Sequence, residues 1–129
     1  NHSTLAGHVT LENNVVVGAL SAIHQFSRIG EGAMIGGMSG VTADVIPFST
    51  VMGNRAKLSG LNLIGLKRNN IKKNEINELR KVFKYIFYSK EKTLDFRRQK
   101  IRNKKLNFYT IQKILEFLEG DTKRSICMP

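Results

Sequence analysis

A six-residue repeat runs without interruption from Leu5 to Val45 and constrains the fold more than any other feature of the sequence. Every sixth residue is aliphatic, the residue four places further on is small or valine, and glycine often follows the aliphatic one. The aliphatic positions are Leu5, Leu11, Val17, Ile23, Ile29, Ile35 and Val41. Neither an amphipathic helix nor an alternating strand buries one position in six, so the pattern indicates a stacked repeat architecture.

Each hexad predicts one short strand and a corner. The aliphatic side chain points inward, and glycine or a short polar residue suits the unusual dihedral angles of the corner. Three hexads form a triangular coil, and stacked coils bury continuous apolar columns. The predicted columns are Leu5–Ile23–Val41, Val17–Ile35 and Leu11–Ile29. We therefore predict a parallel β-helix over residues 1–56, in preference to an ordinary sandwich, with Pro47 in the next aliphatic position of a final irregular coil.

The remainder of the chain has helical periodicity. Apolar residues at steps of three and four predict a helix over about residues 72–89. Thr93 is a suitable N-cap for a second, very basic helix, and a third helix over about residues 108–119 ends at Gly120. The predicted organisation is a connector at 57–71, an α-helical domain at 72–120 and a mobile tail at 121–129.

Charge is divided unequally along the chain. Residues 1–54 carry one basic and three acidic residues, whereas residues 55–129 carry 20 basic and seven acidic ones. The single cysteine, Cys127, excludes an intramolecular disulfide and suits a reducing, cytoplasmic location. No apolar run in the sequence has membrane-spanning length. Because the repeat is already in progress at Asn1, we expect this chain to be the C-terminal part of a longer protein.

Several short segments carry a family resemblance. They are residues 1–9, 23–26, 36–41, 53–54, 62 and 65–68. In these segments the chain resembles the C-terminal half of the bacterial UDP-N-acetylglucosamine O-acyltransferase family of lipid A synthesis, and the resemblance covers essentially the whole chain. It implies a left-handed parallel β-helix followed by a small α-helical C-terminal domain, although general connection rules favour right-handed crossovers. It also implies a homotrimer with active sites at subunit boundaries.

The activity that this resemblance implies is transfer of a 3-hydroxyacyl group from acyl carrier protein to the 3-hydroxyl of UDP-N-acetylglucosamine, without a cofactor. His8 and His24 point outward one coil apart and match positions of the substrate cleft, although alone they would be ordinary surface residues, as His2 is. Gly7 is a candidate oxyanion donor or simply a corner residue. No residue matches the general base of the family, so we expect the isolated chain to show little turnover.

The resemblance assigns the nucleotide-sugar end of the cleft to three further residues. Gln25, Asn62 and Arg68 match family positions there, and a guanidinium suits diphosphate oxygens. Two departures from the family pattern predict weaker or rearranged nucleotide contacts. Ile64 stands where the family usually has an acid, and Asn69 stands where it often has a second arginine.

The predicted acyl-chain groove consists of Met34, Gly37 and Arg55. Gly37 matches the family position at which side-chain bulk limits the length of the acyl chain. By this resemblance, glycine predicts an open groove and a long hydroxyacyl substrate. Alternatively, Gly37 is glycine only because a corner needs its dihedral angles. Arg55 stands where many members carry histidine, and it could shorten the groove.

Other functions stay open at this point. A trimer like the γ-class carbonic anhydrases, which also have hexads, would need the three histidines to converge on a metal, and we predict no metal site. A non-catalytic basic binding module is a further alternative. The basic half either attracts acyl carrier protein, a small acidic protein, or consists of ordinary solvated helix faces. No nucleic-acid-binding motif accompanies the charge, so we expect no nucleic-acid partner.

Overall fold

Short strands recur every six residues in the first half of the chain, and helices follow. The computed structural model describes residues 2–120 and 125–129, which form a left-handed parallel β-helix with an α-helical C-terminal region. Its strands are β1 (Thr4–Leu5), β2 (Thr10–Leu11), β3 (Val16–Val17), β4 (Ala22–Ile23), β5 (Arg28–Ile29), β6 (Met34–Ile35), β7 (Gly40–Val41), β8 (Ser49–Met52) and β9 (Lys57–Leu61). Its helices are α1 (Leu63–Arg68), α2 (Lys73–Tyr88), α3 (Leu94–Asn103) and α4 (Tyr109–Glu119).

The three faces of the β-helix match the predicted columns. One sheet has the order β1-β4-β7, a second β2-β5 and a third β3-β6-β8-β9. Leu5 pairs with Ile23, and Ile23 pairs with Val41. The exposed fraction falls from 48% at Leu5 to 2% at Ile23 and 0% at Val41, because Leu5 has a paired coil on one side only, whereas Ile23 lies between two. The predicted parallel β-helix is confirmed.

The corners do not use the residues that the sequence predicts. Left-handed backbone angles recur three places after the first six inward aliphatic residues, at His8, Asn14, Leu20, Phe26, Gly32 and Met38. The amide of the corner residue donates to the carbonyl of the preceding coil, as from Phe26 to Gly7 at 3.2 Å and from Met38 to Ala19 at 2.8 Å. These hydrogen bonds offset a cost of about 1 kcal/mol or more for a non-glycine residue in this conformation.

The glycines that follow the inward aliphatic residues permit close packing of successive coils instead. A Cβ atom on Gly18 would lie 2.5 Å from the amide nitrogen of Gly37. A Cβ atom on Gly30 would lie 2.5 Å from the nitrogen of Pro47. Distances this short are incompatible with a side chain, so the approach of two backbones dictates glycine at both positions.

The final coil is shorter than the repeat predicts. Val45, not Pro47, takes the inward position after Val41; it is fully buried and forms a bridge to the preceding coil. Ile35 then pairs with Val51, 16 positions further on instead of 18. The prediction for Pro47 is therefore wrong, because the chain passes directly from one face to the next and Pro47 packs against the preceding coil at the following corner.

The segment predicted as a connector contains regular structure. β9 pairs antiparallel with β8, and α1 follows it directly. Ile64 is 72% exposed, whereas Leu66 is buried. The domain boundaries drawn from the sequence stay predictions.

The C-terminal residues lie against the last coil. Asp44 donates its N–H to the Ser125 carbonyl at 2.7 Å and accepts from the N–H of Cys127 at 2.8 Å. The N–H of Leu58 donates to the carbonyl of Met128 at 3.0 Å. Cys127 is buried, and burial raises the pKa of its thiol to about 11. The prediction of a mobile tail is wrong for residues 125–128, because backbone pairing holds them; 121–124 lie outside the described residues.

The three predicted helices are confirmed as α2, α3 and α4. The buried stripe of α2 consists of Ile76, Leu79, Val82, Phe83, Ile86 and Phe87. Thr93 caps α3 by accepting a hydrogen bond from the N–H of Phe96 at 3.0 Å. Gly120 is the C-cap of α4. Packing of these apolar faces, more than helix propensity, stabilises the bundle.

Two arginines join the helices to their surroundings. Arg28 forms a 2.9 Å ion pair with the fully buried Asp44, donates to the Phe117 carbonyl at 3.1 Å and lies 4.0 Å from the centre of the Phe117 ring. Arg97, which is 7% exposed, donates to the carbonyls of Ile86 and Glu91 at 2.8 and 2.9 Å. The first arginine fixes α4 on the β-helix, and the second fixes α3 on the end of α2.

Candidate active site

One corner of the β-helix gathers the predicted cleft residues Gly7, His8, His24 and Gln25. All four are exposed, which confirms that the two histidines point outward. The ring of His8 stacks on that of Phe26 in the next coil, with the centroids 5.1 Å apart and the planes at 11°. Stacking fixes the imidazole of His8 in one orientation while leaving its nitrogens accessible to a ligand.

The backbone of Gly7 presents a donor at this corner. The carbonyl of Gly7 accepts the N–H of Phe26, whereas its own N–H makes no hydrogen bond to any residue that the structure describes. A Cβ atom on Gly7 would lie 3.8 Å from Nε2 of Gln25, so the amide side chain of Gln25 borders the same space. This geometry suits the donation of an N–H to a developing oxyanion.

Asn62 and Arg68 occupy the two ends of α1 and differ in accessibility. Asn62 is buried: its Oδ1 accepts the N–H of Gly65 at 3.1 Å, and its Nδ2 donates to the carbonyl of Gly32 at 3.0 Å. The amide of Asn62 thus anchors α1 on a coil corner. Arg68 is exposed in the last turn of α1, and its guanidinium has no ion pair within the described part of the chain. Of these two residues, only Arg68 faces solvent.

A polar cavity of about 260 Å³, not predicted from the sequence, lies between this coil corner, α1 and the start of α4. Its lining includes Glu31, Asn69 and Tyr109. The hydroxyl of Tyr109 donates to the carboxylate of Glu31 at 2.7 Å, and this hydrogen bond, together with burial, raises the pKa of Tyr109 to about 12. The phenol therefore stays protonated at neutral pH and acts as a donor, not as a base. Only the docking of α4, which the sequence does not show, brings Tyr109 here.

The predicted groove residues lie along another edge of the β-helix. Met34, Gly37 and Arg55 are all exposed. Gly37 is not among the glycines with a left-handed φ angle, and a Cβ atom on it would lie 3.4 Å from the carbonyl oxygen of Ala19. The corner explanation for glycine at this position is therefore wrong, since the left-handed corner residue is Met38.

Many cations of the basic helices have carboxylate partners. Arg98 and Arg102 both pair with Glu119, and Lys100 pairs with Glu91. An open hollow of about 420 Å³ between β9, α1 and α2 differs from these paired regions. Its lining is Leu61, Leu63, Arg80, Phe83, Lys84 and Tyr88. Arg80 and Lys84 at its rim form no ion pair with any described residue, so the hollow combines an apolar floor with available positive charge.

The described residues contain no group of three histidine, cysteine or acidic side chains that could hold a metal ion. His8 stacks on Phe26 instead of converging with the other histidines. The alternative of a carbonic-anhydrase-like metal trimer therefore finds no support in residues 2–120 and 125–129. Within the same residues, no helix combines the length and apolar character that crossing a bilayer requires.

Comparison with known proteins gives one consistent family. A family model described as UDP N-acetylglucosamine O-acyltransferase, domain 2, matches residues 44–127. An acyl-[acyl-carrier-protein]–UDP-N-acetylglucosamine O-acyltransferase of Paracoccus denitrificans is 41% identical over the whole chain, which covers 48% of that relative. The chain thus spans about half the length of the curated relatives it matches.

Solved structures agree with the sequence comparison. A UDP-N-acetylglucosamine acyltransferase from Campylobacter jejuni superposes with a TM-score of 0.91 at 37% identity, over 100% of this chain and 49% of that one. The Arabidopsis UDP-N-acetylglucosamine acyltransferase also gives 0.91, at 35% identity, over 98% of this chain and 47% of that one. The left-handed β-helix and its C-terminal helices are therefore shared with these proteins.

Proposed function

Because the chain belongs to the UDP-N-acetylglucosamine O-acyltransferase family, we propose that it forms the C-terminal part of an enzyme that acylates UDP-N-acetylglucosamine. The acyl donor is a 3-hydroxyacyl group on acyl carrier protein, and the acceptor is the 3-hydroxyl of the sugar. The observation that carries the proposal is the match of the entire chain, at 41% identity, to a relative with this name. The common exposure of Gly7, His8 and Gln25 at one corner supports it.

The chemistry requires attack of the sugar hydroxyl on the thioester carbonyl. Negative charge then develops on the carbonyl oxygen, and we assign its stabilisation to the available N–H of Gly7. Collapse of the tetrahedral intermediate forms the ester and releases the pantetheine thiol. A general base must remove the proton of the hydroxyl; because no residue of this chain matches that base, we assign it to another part of the enzyme.

We assign binding of the nucleotide sugar to residues with accessible polar groups. Arg68 offers an exposed guanidinium to the diphosphate, and Gln25 offers its amide near the sugar. Asn62 has both ends of its amide engaged within the chain, so we assign it the role of positioning α1, and with it Arg68. Since Ile64 and Asn69 replace the usual charged residues, Arg68 carries most of the charge complementarity.

We also propose that acyl carrier protein docks at the hollow rimmed by Arg80 and Lys84. The apolar floor suits a hydrophobic side chain of the partner, and the rim suits its acidic residues.

The enzyme is proposed to act as a homotrimer in the cytoplasm, with the cleft at each subunit boundary. Sedimentation of a monomer at high concentration would contradict the trimer.

The test uses a chimaera that joins the N-terminal part of the Paracoccus denitrificans relative to this chain, beside the chain alone. We expect the chimaera to acylate UDP-N-acetylglucosamine and the isolated chain to be slower by about 10²–10⁴-fold, as expected for loss of a general base. In the chimaera, Arg68→Ala should raise KM for the nucleotide sugar by about tenfold and leave KM for acyl carrier protein unchanged.

Variants at the hollow provide the reciprocal comparison. Arg80→Ala with Lys84→Ala should raise KM for acyl carrier protein, increasingly at low ionic strength, and leave KM for the nucleotide sugar unchanged. Lys90→Ala, at an exposed position outside both sites, is the control and should change neither constant. Ordinary turnover by the isolated chain, lost in His8→Ala, would show that the base lies within this chain and that its assignment here is wrong.

A further inference from the structure

Phe26 lies against His8 at the corner that carries the cleft residues. It follows His8 by 18 positions, so the two residues occupy the same corner of successive coils. Both have left-handed backbone angles, with φ of 66° at Phe26 and 58° at His8. Phe26 is half-buried, whereas His8 is exposed. The ring of Phe26 therefore forms a fixed surface on which the exposed imidazole of His8 rests, with the two planes at 11°.

The main chain of Phe26 makes a second contact with the same corner. Its N–H donates to the carbonyl of Gly7 at 3.2 Å, and on the other side of Gly7 the N–H of Ala6 donates to the carbonyl of Ile23 at 3.0 Å. The N–H of Gly7, which we assign to the oxyanion, thus lies between two peptide groups that the following coil holds. Phe26 fixes the peptide between Gly7 and His8 through its main chain, and the imidazole through its side chain.

The backbone conformation does not explain why this corner residue is phenylalanine. Left-handed angles favour glycine and asparagine, and another corner of the β-helix has Asn14 and Gly32 in this conformation. The hydrogen bond to Gly7 needs a main-chain N–H, which glycine and asparagine also supply. The additional property of phenylalanine is a flat ring parallel to the imidazole of His8, with the centroids 5.1 Å apart. The contact with His8 therefore accounts for the residue type.

We propose that Phe26 is a positioning residue for the acyl transfer and acts through the orientation of His8. The inference rests on the proposed function. Stacking restricts rotation of the imidazole about its side-chain bonds, so that a nitrogen of His8 meets the nucleotide sugar in one orientation. Phe26 needs no contact with the reacting atoms in this role. An orientation that matters in the transition state affects kcat, whereas a surface that merely binds substrate affects KM.

The first test compares Phe26 variants of the chimaera. Phe26→Asn keeps the main-chain N–H and suits the left-handed angles, so it should fold, but without the ring its kcat should fall by about tenfold or more. Phe26→Leu, which is apolar but not flat, should show a similar fall, whereas Phe26→Tyr should keep kcat within about threefold. KM for both substrates should stay within about threefold throughout. Lys90→Ala again serves as the control. Equal kcat in folded Phe26→Asn and Phe26→Tyr chimaeras, or a change in KM alone, overturns the inference and leaves the proposed function standing.

A double-mutant cycle shows whether Phe26 acts through His8. In a His8→Ala chimaera, adding Phe26→Asn should lower the remaining kcat/KM by less than about threefold, because the ring no longer has an imidazole to orient. A cost of the same factor with and without His8 means that the two residues act independently, and it overturns the inference.

The last test does not depend on activity. The imidazole of His8 in the chimaera, labelled with ¹³C and assigned by its loss in His8→Ala, is followed by NMR during titration with UDP-N-acetylglucosamine. Its resonance should move on loss of the ring in Phe26→Asn, and the nucleotide sugar should shift it in the original and in Phe26→Tyr but much less in Phe26→Asn. A chimaera without turnover that shows these shifts contradicts the proposed reaction and supports the positioning of His8. A His8 resonance that Phe26→Asn leaves unmoved overturns the inference.

Discussion

At the scale of single residues, the glycines of the repeat fall into two kinds. Gly18 lies where a Cβ atom would be 2.5 Å from the next coil, whereas at Gly37 the nearest atom would be 3.4 Å away. Gly18→Ala should therefore lower the free energy of unfolding by about 1–3 kcal/mol, and Gly37→Ala should change it by less than about 0.5 kcal/mol. Urea unfolding of both variants measures the difference. Strong destabilisation by Gly37→Ala would show that its glycine is structural.

Inward positions could be predicted from the sequence, but the corner conformations could not. The period of six identifies each buried aliphatic residue, because burial leaves a direct trace in residue type. Phe26 and Met38 adopt left-handed angles because a hydrogen bond from the corner amide to the preceding coil holds them there, and such a bond leaves no trace in residue type. The outward direction of His8 and His24 follows from the period, whereas the contact of His8 with Phe26 becomes visible only in the structure.

At the scale of elements, Arg97 determines how α3 packs on α2. Its guanidinium is buried and is hydrogen-bonded to backbone carbonyls at the end of α2. Arg97→Met should lower the free energy of unfolding by about 2–3 kcal/mol, because several charge-assisted hydrogen bonds are lost. Arg97→Lys, with fewer donors in a different geometry, should give an intermediate loss. Lys104→Met, at an exposed position, should have an effect below about 0.5 kcal/mol.

Denaturant unfolding of these three variants tests whether Arg97 is a structural residue and not one of the solvated cations of the basic half. Equal stability of the Arg97→Met and Lys104→Met variants would mean that Arg97 is an ordinary solvated cation. The sequence could not show its burial, because Arg97 stands in a run of basic residues on a helix with little apolar pattern. Helix α1 was also missed, since it has six residues and the contact from Asn62 to Gly32 spans 30 positions.

At the scale of the whole molecule, Arg28 and Asp44 join the β-helix, α4 and residues 125–128. Arg28→Met removes the cation beside a fully buried carboxylate and should lower the free energy of unfolding by about 3–5 kcal/mol. Adding Asp44→Asn removes the buried charge as well and should recover part of the loss. Hydrogen exchange at the amide of Cys127 should be faster in Arg28→Met. An unchanged exchange rate with lowered stability would show that residues 125–128 are held independently of Arg28.

The overall architecture could be predicted because every coil repeats the same pattern, whereas the way in which the β-helix ends could not. The shift from Pro47 to Val45 depends on how the chain crosses between two faces, and both residues are apolar. Pairing of residues 125–128 with the last coils involves partners about 70 to 80 positions apart in sequence, mainly through backbone atoms. The polar cavity at Tyr109 depends in the same way on long-range docking. The periodicity therefore predicts the repeat and its apolar columns, whereas the end of the β-helix, the position of residues 125–128 and the polar cavity depend on tertiary contacts.

The last coil is covered on each of its three sides. The N–H of Gly40 donates to the carbonyl of Gly53, and the carbonyl of Gly40 accepts the N–H of Ala56. Asp44 pairs with residues 125–127, and β8 pairs with β9. A β-helix with a bare final coil offers a template on which a coil of another molecule can assemble, as in a growing fibril. Polymerisation from this end is therefore blocked. For the same reason, evolution can lengthen the array by duplicating a coil inside it, but not by adding one after β8.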